Sequence, residues 1–419
     1  MRPVWVVHVS NNSNVNGDDI DNNPRFVRMV QASEVSFYDQ ICSHENLLLA
    51  FQKARKGKTT KPYVRDFEKG LKQNLSDLRT ELLLHSYRPR PLQTFILRDP
   101  KTRRISKSDF RDRVVHHALC NVIEPIFDRG FIFDSYANRK GKGVLAAIRR
   151  FESFSRKVTL NHRQRAHVLK ADVRRYFDTV NHDRLLRVVG RRLKDPRVLW
   201  LVRIILSNFS VKEQGVGMPL GNLTSQFFAN VFLNELDRFV KFHLRARYYL
   251  RYVDDFIIMD KSAHLLEDYR YRIDGFLRQE LGLRLHPEKS KVISLRQGTA
   301  FLGFRVFLHH RLLKGSNLRK FRRKLSQGML CYGSDRGTYD GIYDFLEGWV
   351  AYAKQASTHK LRKRVIKDVE PAFVGEVSTK ELDRMLKTIK RQRPVRSQHK
   401  QESQRASEVI TAQPLALSA

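Results

Sequence analysis

RYVDDFIIMD, Arg251 to Asp260, sets two adjacent aspartates, Asp254 and Asp255, between tyrosines and the apolar run Phe256-Ile257-Ile258-Met259. Either flank would make a buried strand. Two like charges at its edge repel each other and are costly to desolvate. A hairpin turn accommodates aspartate, but such turns favour Asp-Gly or Asn-Gly, and here Phe256 follows. A second acid stands upstream, where VLKADVRRYFDTVNHDRL (Val168 to Leu185) ends a short apolar strand at Asp172. Taken alone, Asp172 is as readily a strand terminus or a helix N-cap. Taken together, a strand ending in Asp and a strand-turn-strand carrying Asp-Asp bring three carboxylates onto one sheet. Divalent magnesium, a hard cation bound by oxygen, removes their repulsion. Two such ions roughly 3.5–4 Å apart activate an attacking hydroxyl and stabilise a leaving pyrophosphate.

The composition fits a polyanionic partner. The 419 residues carry 79 Lys plus Arg against 43 Asp plus Glu, a net charge of +36. A charge of that size opposes compaction unless nucleic acid, or secondarily an anionic membrane surface, is the usual partner. No stretch approaches the roughly 18 consecutive apolar residues of a membrane span, so no membrane role is expected. VWVV near the start lacks the h-region and cleavage site of a secretory signal. Cys42, Cys120 and Cys331 are far apart, show no metal spacing, and read as reduced thiols of a cytoplasmic protein.

Along the chain, residues 1–40 form an Asn-rich extension, with six Asn and three Asp between Asn11 and Asn23, which is turn chemistry. Apolar residues at three and four spacing predict basic helices from about 42 to 83, and RDRVVHHALCNVIEPIF predicts another. Residues 84–165 otherwise read as short extended pieces such as QTFILRD. From 166 to about 308 strands and helices alternate, which predicts an α+β class with an antiparallel sheet. Basic helices are expected from 315 to 370, and a polar, disordered tail after about 390.

These residues resemble the reverse transcriptases, from about 45 to 370. RYVDDF is similar to the family's Tyr-x-Asp-Asp box, and Asp172 falls where its other metal-binding aspartate stands. The resemblance implies a right-hand polymerase: fingers and palm over 41–310, a helical thumb over 311–375, and a tail over 376–419. It implies two Mg2+ ions held by Asp172, Asp254, Asp255 and the carbonyl of Val173. Phe177 matches the aromatic that crowds the sugar 2′ position and excludes ribonucleotides; on its own it reads as a core aromatic. PKTRRISKSDFRDRVVHHAL resembles the fingers segment, in which Arg103 and Lys101 meet the incoming triphosphate, a task suited to guanidinium. Among so many arginines, a solvated basic face is the competing reading. FIFDSYANRKGKG places Arg139 near the template, and LGLRLHPEKSKV supplies Lys289 to protonate the departing pyrophosphate. TAFLGFRV resembles the primer-grip hairpin, so Gly303, with Tyr252, belongs to the template and primer track. The basic helices after it match a thumb whose cationic surface, with Trp349 and Tyr352, suits a duplex backbone.

GMPLGNLTSQFFANVFLNEL, Gly217 to Leu236, narrows the resemblance. Many reverse transcriptases read Gln-Gly-x-x-x-Ser-Pro here; this chain has Leu220, Gly221 and Gln226 at the altered and fixed positions. That form resembles the enzymes of diversity-generating retroelements, which misincorporate opposite template adenines. An aliphatic residue cannot donate the hydrogen bonds of the glutamine, so mispairs are rejected less strongly. The implied partners are a template RNA, a DNA or RNA primer, deoxynucleoside triphosphates and a small basic multimeric accessory protein, in a bacterial or phage-encoded system. The N-terminal extension resembles the asparagine-rich segment such elements diversify, so residues 1–30 are expected to be translated repeat or an ordinary extension. No zinc-ligand spacing or nuclease motif is seen after the thumb. Two alternatives stand: a reverse transcriptase of a group II intron-like or phage-defence system, and a catalytically inactive RNA-binding scaffold.

Overall fold

A computed structural model of the chain describes residues 36–98, 102–211 and 213–381. Residues 1–35 of the Asn-rich extension and most of the tail lie outside the described residues; Ser36 to Gln40, assigned to the extension, cap and begin the first helix instead. Packing sorts the chain into two compact units, Met1–Arg150 with Leu169–Val292, and Phe151–Val168 with Ile293–Ala419.

The elements follow in order as α1 (Phe37–Cys42), α2 (His44–Arg55), α3 (Pro62–Lys69), α4 (Leu71–Leu83), β1 (Gln93–Leu97), β2 (Arg103–Lys107), α5 (Phe110–Asp128), α6 (Val144–Val158) and β3 (His167–Asp172). Then come α7 (Tyr176–Thr179), α8 (His182–Gly190), α9 (Pro196–Ser207), α10 (Leu223–Arg238), β4 (Tyr248–Tyr252), β5 (Asp255–Asp260), α11 (Ala263–Phe276) and β6 (Lys291–Ser294). The chain closes with β7 (Thr299–Phe301), β8 (Phe304–Val306), β9 (Arg311–Leu313), α12 (Gly315–Gly333), α13 (Tyr339–Ala353) and α14 (His359–Val369). This is the mixed α+β architecture expected, and β1–β2, β4–β5, β7–β8 and β8–β9 are antiparallel pairs.

In the first unit the helices start where the caps say they should. Ser43 accepts the Asn46 N–H, Asp109 that of Arg111, and Asn181 that of Arg184, each satisfying an orphan donor at a helix start. α5 and α10 carry apolar residues on most of their circumference and are buried accordingly. A four-stranded sheet, in the order β4-β5-β3-β6, sets β3 beside the β4–β5 hairpin. That order puts the C-terminal end of β3 next to the hairpin turn.

The second unit holds the three-stranded sheet β7-β8-β9 and helices α12–α14. Arg311 on β9 pairs with Glu152 at 2.9 Å. Trp349 stacks on Phe321 with centroids 3.8 Å apart and is buried, so it packs the helices together instead of lying on a cationic surface. Two further expectations are corrected. Residues 84–165 contain the whole of α6, whose basic positions disguised its apolar stripe. α8 and α9 are not among the expected helices; in α9 apolar residues crowd both sides of Arg203 in VLWLVRIIL and hide a helical period.

Candidate active site

β3 ends on Asp172, and the next backbone groups tie it to both neighbours. The Val173 N–H donates to the Asp254 carbonyl at 3.1 Å, and the Asp172 carbonyl accepts from the His286 N–H at 2.7 Å. The Asp172 N–H reaches the Ser290 hydroxyl at 3.4 Å. Opposite, Tyr252 pairs with Asp255, leaving Val253 and Asp254 as a two-residue turn. Such a turn wants positive φ at its first position, and Val253 takes it, at +55°. That is unusual for a β-branched residue and marks local strain. The three acids therefore gather at one end of the sheet, where its inner strands β3 and β5 adjoin.

Their electrostatics show the cost raised by the sequence. Burial, then the nearby Asp172 carboxylate, push the Asp254 carboxyl from an ordinary 3.8 up to about 6, with Asp255 adding to the rise and Lys289 opposing it. Lys289 Nζ lies 3.1 Å from Asp172 Oδ1. Lys170 Nζ lies 3.7 Å from Asp255 Oδ1. Lys170, two residues before Asp172 on β3, was missed in the sequence because it looked like one more basic residue. Among the described residues, no three His, Cys, Asp or Glu side chains converge as a ready metal cluster. The donors are nonetheless hard carboxylate oxygens, and a half-buried Asp254 beside a second carboxylate is a group that a divalent cation would relieve.

The Leu220–Gln226 box docks against the β1–β2 hairpin. The Ser106 N–H donates to the Leu220 carbonyl at 3.0 Å. Asn222, buried, accepts from the Ser108 N–H at 3.0 Å and donates to the Ser106 carbonyl at 3.2 Å. Gly221 has φ +110°, and a Cβ there would stand 2.9 Å from Ile105 Cγ2. The glycine is thus required by both conformation and the approach of β2. Phe177 is half-buried on α7, and its carbonyl accepts from the Met218 N–H at 2.7 Å. The aromatic and the box are neighbours along the backbone. Gln226 is exposed in the first turn of α10. Asn222, unremarked in the sequence, does most to seat the box.

The remaining residues are more scattered. Arg103 is exposed at the start of β2, opposite Leu97, and Lys101 lies outside the described residues. Arg139 is spent internally: it holds Asp128 at 2.5 Å and the carbonyls of Ile132 and Ser135 at 2.8 and 3.1 Å. Its guanidinium staples the loop that the sequence assigned to template. Tyr252 is half-buried at the end of β4, and burial raises its hydroxyl pKa. In the second unit Gly303 turns between β7 and β8 with φ +91°, its carbonyl accepting from Tyr352 at 2.9 Å and the Lys314 N–H at 3.0 Å.

Comparison with known proteins fits this arrangement. The family model "Reverse transcriptase (RNA-dependent DNA polymerase)" matches residues 98–306, a span that holds the three acids, the box and Phe177. Residues 98–306 are a reverse transcriptase domain. The domain is that of an RNA-directed DNA polymerase, a nucleotidyltransferase, and members of the family generally use divalent metal ions. The chain is similar to protein YkfC of Escherichia coli, at 28% identity over 277 residues, covering 55% of this chain and 71% of YkfC. It is similar to the group II intron-encoded protein LtrA of Lactococcus lactis subsp. cremoris at 22% identity over 251 residues, covering 57% of this chain and 39% of LtrA. A solved telomerase from Candida albicans, in complex with a fragment of telomeric RNA, is similar with TM-score 0.40 and 10% identity, over 58% of this chain and 51% of that one. No helix among the described residues of the chain is long and apolar enough to cross a membrane.

Proposed function

We propose that the chain copies a template RNA into cDNA, extending a DNA or RNA primer with deoxynucleoside triphosphates. The observation that carries this reading is the Val173 N–H to Asp254 carbonyl bond at 3.1 Å, which fastens the Asp172 segment to the Asp-Asp turn. Asp172, Asp254, Asp255 and the Val173 carbonyl would hold two Mg2+ ions. When bound, these supply an activated primer hydroxyl and charge neutralisation at the leaving pyrophosphate. Lys289, 3.1 Å from Asp172, keeps a proton beside the acids for the departing pyrophosphate. Phe177 would stand against the sugar and select deoxynucleotides, while Arg103 at the start of β2, together with Lys101, would meet the triphosphate. Within the first unit, Tyr252 would serve the template and primer track; in the second unit, Gly303 would belong to a primer-grip hairpin.

The Leu220–Gln226 box supports a finer reading, that of a diversity-generating enzyme which errs at template adenines. Leu220 offers the nascent pair no side-chain hydrogen bond, so a mispair forfeits less. A small basic multimeric accessory protein would share the RNA, and the net charge of +36 suits that common polyanion. The reaction would take place in the cytoplasm of a bacterial or phage-infected cell. A second reading, a reverse transcriptase of the group II intron type, is favoured by the similarity to LtrA. Primer extension on a defined RNA, followed by sequencing of the cDNA, separates the two. Errors concentrated opposite adenines support the diversifying enzyme; base-blind errors support the second reading; no cDNA at all contradicts both.

A further inference from the structure

The residue just before the Tyr-x-Asp-Asp box is an arginine with no exposure at all. Arg251 and its partner Asp237 are both 0% exposed, and their ion pair is bidentate, Nε to Oδ1 at 2.7 Å and a terminal nitrogen to Oδ2 at 2.6 Å. A guanidinium has five N–H donors. All five are used: the other three reach the Asn230 side-chain carbonyl at 3.2 Å, the Ser135 hydroxyl at 3.3 Å and the Val253 carbonyl at 3.0 Å. Tyr249 also donates to Asp237 at 2.6 Å. The backbone of Arg251 is held as well, its N–H by the Asp134 carbonyl and its carbonyl by the Tyr136 N–H, both at 2.9 Å.

A buried ion pair is poor value as packing, because well-fitted apolar residues usually serve stability as well or better. What apolar residues cannot do is aim a donor at one chosen backbone atom. The atom chosen here is the carbonyl of Val253, the strained residue that sets where Asp254 and Asp255 point. Arg251 draws the rest of its order from Asp237 and Asn230 on α10, the helix that begins at the Leu220 box, and from Ser135 in the loop stapled by Arg139. We propose that Arg251 is a positioning residue which, braced by Asp237, holds the Val253 carbonyl and so fixes the strained Asp254–Asp255 turn in its working geometry. The proposal rests on the polymerase reading given above and adds a residue to it that touches neither metal nor nucleotide.

The test removes both charges together so that neither is left buried alone: Arg251→Met with Asp237→Asn in the full chain, the amide still accepting from Tyr249. The expected result is a thermal midpoint and a KM for nucleotide near those of the wild type, with kcat for primer extension down by about tenfold or more. Adding Val253→Gly, which takes positive φ without strain, should restore several-fold of the loss. Unchanged kcat in the double variant, or a loss that glycine at 253 does not relieve, would overturn the proposal. Amide hydrogen exchange gives a readout that does not need activity. Faster exchange at Val173, whose N–H rests on the Asp254 carbonyl, is expected in the double variant, and unaltered exchange there counts against it. An inactive wild type would sink the polymerase reading, while the exchange result would still decide the role of Arg251.

Discussion

Replacing Asp254 by asparagine should abolish synthesis and yet make the metal-free protein more stable. The carboxyl is raised from 3.8 to about 6 by burial and by Asp172, so the native state binds its proton more tightly than the unfolded chain does. Stability therefore falls as pH climbs from about 4 to about 6, and the full cost of the charge is present above that window. At ~1.4 kcal/mol for each pH unit separating the two values, the cost at pH 7.5 is about 3 kcal/mol. Asparagine has the same shape and no charge, so Asp254→Asn should raise the thermal midpoint in chelator by something on the order of 5 °C. Millimolar Mg2+ should stabilise the wild type by binding the native state and stabilise the variant less. Differential scanning fluorimetry at pH 7.5, with and without Mg2+, reads both effects. A variant no more stable than the wild type in chelator would show that Asp254 is not a strained charge, and the cation argument would lose its physical basis.

Other substitutions probe the surroundings. Phe177→Ala should admit ribonucleotides, lowering the preference for deoxynucleotides by about tenfold to a hundredfold in single-nucleotide extension; unchanged preference would return Phe177 to the core. Gly221→Ala should cost about 1–3 kcal/mol, since it adds a Cβ 2.9 Å from Ile105 Cγ2 at φ +110°, and denaturation should show it. Leu220→Gln restores a hydrogen-bonding side chain to the box and should cut misincorporation opposite adenines by about fivefold, read by sequencing the cDNA.

That the Asp172 strand end adjoins the Asp254–Asp255 turn was legible in the sequence because it depends on chain-local facts. A strand that ends in Asp172 and a hairpin that turns on Val253-Asp254 are both visible as short apolar runs broken by acid, and sheet pairing joins them. Gly221 was legible as part of a motif, but its cause was not: the obstruction is Ile105, on a strand that sequence alone does not place. Arg251 was hidden for a related reason. In a chain of 79 Lys and Arg a single arginine carries no signal, and only burial and five side-chain hydrogen bonds show its use. For Arg139 the motif suggested template, and what the structure adds is a set of internal contacts to Asp128, Ile132 and Ser135 that the sequence did not show. Trp349 read as a surface aromatic because it lies among basic helices, whereas its ring stacks inward on Phe321.

The central claim is that Asp172 and the 254/255 turn act as one cation-dependent centre for templated DNA synthesis. Primer extension on an RNA template with Mg2+, run side by side for the wild type and a folded Asp172→Asn, tests it most directly. The account predicts processive, deoxynucleotide-dependent product from the wild type and a loss of about a thousandfold or more in the variant. Equal product from both would contradict it.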